Sequence, residues 1–328
     1  MKTRYWKIDP VHPQPDIISK AARLLKDFEL VAFPTETVYG LGALANSSQA
    51  VQKIFIAKGR SNRNPLLVHV SNIDQVESIV REIPASAKLL MEYFWPGPLS
   101  IILPAREEVP SLVRGGKDNV GLRMPSHPVA LALIDKVGPI AAPSANLSGR
   151  PSPLNALHVR ADLDGKIAAV LDAGKTGIGL ESTLVEYDND YYRVLRLGGL
   201  PLTDLQNVIG NKLVIASNHS DDLPHYQTTS RVIVCQDNQE FVDLQEYYQQ
   251  EKKKFAIVWN NTKHHIINYS VPIFELGMDN HNSNLYSILR EAEQMGCEFL
   301  LFAPLSEDLG KINPTLLDRI KRASKNFL

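Results

Sequence analysis

AKGRSNRNPLLVHV, residues 57–70, decides how the chain is read. It brings three basic residues in quick succession, Lys58, Arg60 and Arg63, then Asn64-Pro65 and the apolar run Leu66-Leu67-Val68. A short apolar run bounded by turn residues predicts a buried strand. Lys58 and Arg60 stand two apart, which in extended chain puts both side chains on one face. Arg offers phosphate oxygens a planar fork and Lys a mobile point charge. A basic cluster at the mouth of a buried strand is where an α/β protein would hold an anion. A solvated basic loop is the plainer alternative, since such clusters are common on surfaces.

Toward the N-terminus, residues 47–55 predict a helix that delivers Lys58 and Arg60 at its end. Before it, residues 30–33 read as a strand running into PTETVYGLG, residues 34–42. There Thr35 and Thr37 flank Glu36, and polar groups at the end of a buried strand are well placed to face a crevice. The alternative is a Pro-initiated turn whose threonines cap a helix. Residues 4–8 predict a strand, and 16–28 a helix with Asp16 as N-cap.

Toward the C-terminus, residues 83–95 read as a helix stopped by Pro96-Gly97-Pro98, and 99–103 as a strand. Arg123 follows, embedded in apolar neighbours. A buried charge requires a partner, so an internal ion pair is the first expectation for it. The strand at 139–142 enters PSANLSGRPSP, residues 143–153, where Ser144 and Asn146 share a face if the chain is extended. Gly149, Pro151 and Pro153 keep this segment out of a helix. The glycine-spaced turn at 174–179 is weak support for phosphate binding. Strands at 184–187 and 192–196 follow, with Glu181-Ser182-Thr183 before the first and Leu197-Gly198-Gly199 after the second.

Composition sets the limits. The chain has 328 residues, 44% of them hydrophobic and 22% charged, with a net charge of -1. That length accommodates two domains. The near-neutral balance gives no global field for holding long nucleic acid, so any phosphate binding is local. Cys235 and Cys297 are the two cysteines, far apart and in no CxxC pair, which excludes a zinc finger and disfavours a disulfide framework. No apolar run approaches a membrane span, and MKTRYWKIDP carries no apolar signal region, so a cytoplasmic protein is expected.

From residue 216 the pattern breaks. ASNHSDDLPHYQTTS, residues 216–230, is polar and aperiodic and reads as a linker. Strands and helices then alternate from residue 231 to 323, which implies a small parallel-sheet domain. The adjacent His264 and His265 point in different directions in any regular element and make a poor metal pair.

PTETVYGLG, AKGR…NPLLVHV, FWPGPLS, LRMPSHPVA, APSANLSGRPSP, EST and LRLGG, in this order over roughly residues 5–205, closely resemble the YrdC/Sua5 family. The second α/β segment is similar to the longer, Sua5 type. The resemblance implies an α/β fold: a YrdC-like twisted sheet with a large cavity, plus a small Rossmann-like C-terminal α/β domain. It implies a catalytic domain over residues 1–210, a linker or lid over 211–230, and a C-terminal domain over 231–328.

The activity it implies is a nucleotidyltransferase, threonylcarbamoyl-AMP synthase. L-threonine, bicarbonate and ATP would give threonylcarbamoyl-AMP, pyrophosphate and water, the first step of the t6A modification of tRNA. Its K-x-R and S-x-N motifs fall on Lys58, Arg60, Ser144 and Asn146, implying contacts to ATP, with Arg150, Arg196 and Tyr226 as further nucleotide contacts. Thr35, His69, Arg123 and Ser182 would line the threonine end, Arg123 then pairing with the threonine carboxylate. Magnesium would arrive with ATP, with no protein metal site and no tightly bound organic cofactor. The product would pass to the tRNA threonylcarbamoyl-transferase machinery, and a direct tRNA contact is left open.

The linker carries His225-Tyr226 as PHYQTT, where the family has a longer, Gly-containing stretch ending in HYAP. Three other readings compete, one of them a degraded paralogue that binds nucleotide without turnover, against which intact Lys58, Arg60, Ser144 and Asn146 argue. An RNA-binding module without chemistry would use the same basic residues but gives Thr35, Arg123 and Ser182 no reason to converge. The related carbamoyl-nucleotide enzyme of hydrogenase maturation carries cysteine-rich zinc fingers that two isolated cysteines cannot build.

Overall fold

The computed structural model describes residues 2–215, 226–259, 270–277, 283–305 and 313–324. Two compact units divide the chain. The first comprises Met1–Ser148 and Ser152–Ser220; the second comprises Gly149–Pro151 and Asp221–Leu328.

The first unit is built on one mixed, twisted sheet. Its strands are β1 (Arg4–Lys7), β2 (Val31–Phe33), β3 (Gly40–Leu44), β4 (Leu67–His69), β5 (Leu99–Pro104), β6 (Asn119–Arg123), β7 (Ile140–Ala141), β8 (Ala169–Asp172), β9 (Thr183–Asp188), β10 (Tyr191–Arg196) and β11 (Leu213–Ile215). They lie in the order β1-β8-β2-β3-β7-β4-β6-β5-β9-β10-β11. The central register decides the site. β4 runs parallel to β6, with His69 opposite Arg123, and antiparallel to β7, with His69 opposite Ile140.

The apolar runs form these central strands because both faces of the sheet are covered, and continuous Val, Ile and Leu are what such burial selects. Leu66, Val68 and Val70 are buried beside Leu122 and Ile101. On one face the helix Pro15–Lys26 buries Ile18, Ala21, Ala22 and Leu25 in a core shared with Val129 and Leu133 of the helix Pro128–Val137. On the other, the helix Ser48–Lys58 buries Val51, Ile54 and Phe55. Each buried Val, Leu, Ile or Phe among them contributes about 1.5–3 kcal/mol.

Several local expectations change. The N-cap of the first helix is Gln14 rather than Asp16; Pro15 occupies the first helical position, where a missing N–H costs nothing. Asp16 instead sits in the first turn and pairs with Lys20. The second half of PTETVYGLG is strand β3, paired with both β2 and β7. The sheet also continues beyond residue 210: β11 pairs with β10.

The second unit has a four-stranded parallel sheet of β12 (Arg231–Val234), β13 (Phe255–Trp259), β14 (Ile273–Glu275) and β15 (Phe299–Phe302), in the order β12-β15-β13-β14. Helices Asn238–Gln250, Leu285–Gln294 and Pro314–Ser324 accompany it. Asp237 caps the first of them, accepting from the Glu240 N–H at 2.8 Å, while Glu240 accepts from the Gln236 N–H. Phe241, Tyr248, Phe255, Ile257 and Leu301 form its core. Cys235 and Cys297 are buried free thiols. His225, most of the linker, and His264-His265 lie outside the described residues.

Candidate functional site

Segment 34–41, which runs from the end of β2 into β3, is where the other motifs meet. The Glu36 carbonyl accepts from the Ile178 N–H at 2.8 Å and the Thr37 carbonyl from Gly179 at 3.1 Å. Ala145 donates to the Tyr39 carbonyl and Leu41 to the Pro143 carbonyl, each at 2.8 Å. The glycine-spaced turn and the PSAN loop are thus fixed to this segment by main-chain bonds, independent of side chains.

Thr35 and Thr37 do not cap a helix; they knit a turn. Thr35 Oγ1 donates to the Val38 carbonyl at 2.6 Å and accepts from the N–H groups of Thr37 and Val38, each at 3.2 Å. It also lies 2.8 Å from Thr37 Oγ1. A hydroxyl has one proton. With the Thr35 proton on Val38, Thr37 donates to Thr35, and Thr37 Oγ1 accepts from Arg123 Nη1 at 2.8 Å. The relay therefore has one direction, from Arg123 through Thr37 and Thr35 to the Val38 carbonyl. The Thr35 hydroxyl is committed to the turn, so what it gives a ligand here is the shape of the segment.

Arg123 ends β6 and is buried, at 4% exposure. Its Nη2 lies 2.6 Å from Glu36 Oε1, an ion pair whose angles fall outside hydrogen-bond geometry. Nε donates to the Gly97 carbonyl at 3.3 Å. The internal ion pair expected from the residue alone is therefore present. Glu36 is the site residue missed from the sequence candidates, and the signal was there: an acid between two threonines at the end of a buried strand. Its Oε2 accepts from the Ser126 N–H at 3.1 Å.

His69, beside Arg123 across the β4–β6 ladder, packs edge-on against Phe33 at 6.1 Å. Burial, and after it the Arg123 charge, push its imidazole down to about 3. The Leu67 and Ile140 carbonyls favour the cation but do not offset burial, and Nδ1 has no partner of hydrogen-bond geometry among the described residues. His69 is therefore neutral at pH 7.

Lys58, Ser144 and Asn146 form a second cluster, by a different route from the expected one. Lys58 and Arg60 do not lie in extended chain. Lys58 ends the helix Ser48–Lys58, and Gly59 follows as a left-handed cap at φ 60, the conformation glycine adopts without steric cost. Ser144 and Asn146 are not extended either: the Asn146 N–H donates to the Ser144 carbonyl at 3.0 Å. That turn aims both carbonyls at Lys58, whose ammonium donates to each. Burial first, then Arg60, hold the Lys58 amine well below the usual lysine range, against an opposing effect of Asp162. Arg60 is half-buried, and its Nη2 donates to the Pro65 carbonyl at 3.3 Å.

Ser182 forms the third cluster. Its Oγ lies 2.7 Å from Ser100 Oγ and accepts from Arg196 Nη2 at 3.1 Å. Arg196 also donates to the Ser182 carbonyl through Nε at 3.1 Å and Nη2 at 2.9 Å. Assigned to nucleotide from the sequence, Arg196 here clamps the residue assigned to the amino-acid end. LRLGG serves the same place by close approach: a Cβ on Gly198 would stand 2.2 Å from the Ser182 carbonyl carbon and 2.3 Å from the Thr183 nitrogen.

Two candidates belong to the second unit. There Arg150 pairs with Glu293, and Tyr226, at φ 62, stacks on Tyr286 at 5.0 Å with the Arg319 guanidinium 5.8 Å from its ring centre. No group of three or more His, Cys, Asp or Glu side chains among the described residues is placed to hold a metal ion. No helix among them is long and apolar enough to cross a membrane.

Residues 23–198 match the Sua5/YciO/YrdC family model, described as "Telomere recombination", and residues 215–325 match the model described as "Threonylcarbamoyl-AMP synthase, C-terminal domain". The threonylcarbamoyl-AMP synthase of Bacillus subtilis (strain 168) is 39% identical, with 99% of this chain and 98% of that protein covered. That of Pyrococcus abyssi is 38% identical over 93% of each. The crystal structure of P. abyssi Sua5 complexed with L-threonine superposes with a TM-score of 0.90 at 36% identity, covering 98% of both chains. Escherichia coli YciO shares the fold of the first unit, with a TM-score of 0.56 at 23% identity, covering 60% of this chain and 96% of that one.

Proposed function

This chain belongs to the Sua5/YciO/YrdC family, in its two-domain, Sua5-type form, and from that premise we propose that the clusters around segment 34–41 make it a threonylcarbamoyl-AMP synthase. The reaction joins L-threonine, bicarbonate and ATP into threonylcarbamoyl-AMP, pyrophosphate and water. The observation that carries the reading is the buried Arg123 guanidinium, set where three motif loops meet and beside a neutral imidazole. A buried guanidinium with an adjoining hydroxyl relay suits an amino-acid carboxylate, which it recognises through planar, charge-assisted hydrogen bonds.

The chemistry divides in two. The threonine amine adds to the carbon of bicarbonate and water leaves, giving a carbamate. A carbamate oxygen then attacks the α-phosphorus of ATP, a new P–O bond forms, and the bond to the pyrophosphate leaving group breaks. Such transfer needs positioning and charge neutralisation more than covalent help. Lys58 and Arg60 face the nucleotide phosphates, and Ser144 and Asn146 hold Lys58 in place. Arg123, His69 and Ser182 line the amino-acid end, with Thr35 shaping the turn and Arg196 holding Ser182. Magnesium enters as part of the ATP substrate, its coordination mostly water and phosphate.

The product is a mixed anhydride, which a water-excluding site protects. It then passes to a transferase that loads it onto tRNA as t6A, and a cytoplasmic location belongs to the same reading. A C-terminal domain that begins at residue 231, with the linker before it as a lid, belongs to this reading.

The test is direct. The protein, incubated with ATP, bicarbonate and magnesium, should release pyrophosphate only when L-threonine is added. Valine, lacking the hydroxyl, should be a poor substrate, because a site built to hydrogen-bond a hydroxyl rejects its absence strongly. Pyrophosphate release indifferent to threonine would refute the assignment.

A further inference from the structure

Glu36 is tied down at three points. Its carbonyl accepts from the Ile178 N–H, Oε2 accepts from the Ser126 N–H, and Oε1 meets Arg123 Nη2 at 2.6 Å. The carboxylate is thus a fixed bridge between the segment 34–41 and the residues that follow β6. Arg123 is held on three sides, by Glu36, by Thr37 Oγ1 and by the Gly97 carbonyl. These contacts leave further guanidinium N–H groups for a ligand.

We infer that Glu36 is a positioning residue for Arg123: its carboxylate fixes the guanidinium in the orientation that receives the amino-acid carboxylate. The inference rests on the assignment of this pocket to threonine. Glu36 does not need to leave when substrate binds, because its own anchors at Ser126 and Ile178 are independent of Arg123. It also neutralises a buried cation that would otherwise be costly to keep out of water.

The chemistry of the group makes the idea testable. A carboxylate accepts on both oxygens, whereas a carboxamide accepts on one side and donates on the other. Both neighbours of Glu36, the Ser126 N–H and Arg123 Nη2, are donors. In Glu36→Gln the amide must therefore turn its NH2 group against one of them. In either orientation Arg123 loses its anionic partner even though the side chain keeps its size. Glu36→Asp keeps two acceptor oxygens but falls one methylene short.

The experiment measures steady-state pyrophosphate release, varying L-threonine and ATP separately. Wild-type protein comes first: absence of threonine-dependent release would overturn the proposed function, and with it the pocket assignment. Given wild-type activity, Glu36→Gln should raise the threonine KM by about tenfold or more, the scale of one misplaced charged hydrogen bond. The ATP KM should stay within about twofold, since Lys58 and Arg60 are untouched. Glu36→Asp should raise the threonine KM by a smaller factor, about threefold, and this variant decides the matter if Glu36→Gln does not fold. An unchanged threonine KM in the folded variants, or threonine and ATP KM rising together, would overturn the positioning role and leave the synthase reading intact.

Discussion

Lowering the pH from 7.5 to 5.0 should destabilise the first unit by an amount traceable to His69. The imidazole is held at about 3 in the folded protein against an ordinary 6.5. Between those values the unfolded chain binds a proton that the folded chain refuses, so stability rises with pH there. The contribution is fully present above about 6.5 and is progressively lost as the pH falls to about 3. The slope approaches about 1.4 kcal/mol per pH unit, and the loss at pH 5.0 comes to about 2 kcal/mol. Other groups titrate in the same window, so the comparison is with His69→Gln, which cannot titrate. Pulse proteolysis in urea at the two pH values gives the stability of each protein, and the wild type should lose about 2 kcal/mol more than the variant. The imidazole proton resonances should likewise show no titration between pH 8 and about 4. A His69 midpoint near 6.5, or equal pH losses in the two proteins, would refute the reasoning that burial and Arg123 keep this ring neutral.

Lys58→Met removes the ammonium that joins the Ser144 and Asn146 carbonyls. Orphaning a buried acceptor costs roughly 1–3 kcal/mol, so urea unfolding should show a loss on that scale along with a higher ATP KM. Arg196→Ala frees Ser182 and should raise the threonine KM more than the ATP KM; the opposite ranking would mark Arg196 as primarily a nucleotide contact. Gly198→Ala drives a methyl group into the Ser182–Thr183 backbone, where nothing flexible can yield, so a loss of at least about 1–3 kcal/mol in stability is expected from thermal or urea unfolding. Arg60→Ala should lose roughly 3 kcal/mol of transition-state stabilisation with an unchanged unfolding midpoint, and near-normal turnover would remove its phosphate role.

Periodicity and turn chemistry determined much of this protein before any contact was known. The buried strand after Asn64-Pro65, the Ser47-capped helix that ends at Lys58 and the alternating strands and helices after residue 231 are local consequences of apolar spacing and capping. So is the demand that Arg123 find an anion, which follows from the cost of burying a charge. Tertiary structure decided what local pattern cannot carry. Lys58 and Asn146 are far apart in sequence, and no spacing rule says that a turn at 144–146 aims its carbonyls at a helix-terminal ammonium. Glycine-rich GLGAL lacks the side chains that signal a strand, yet pairing with β2 and β7 on its two edges makes it one. Arg196 is a bare cation in the sequence, and only the fold sets it against Ser182. In each case the sequence names a donor or a charge, and only the three-dimensional arrangement of acceptors, brought together by strand order and loop docking, selects its partner.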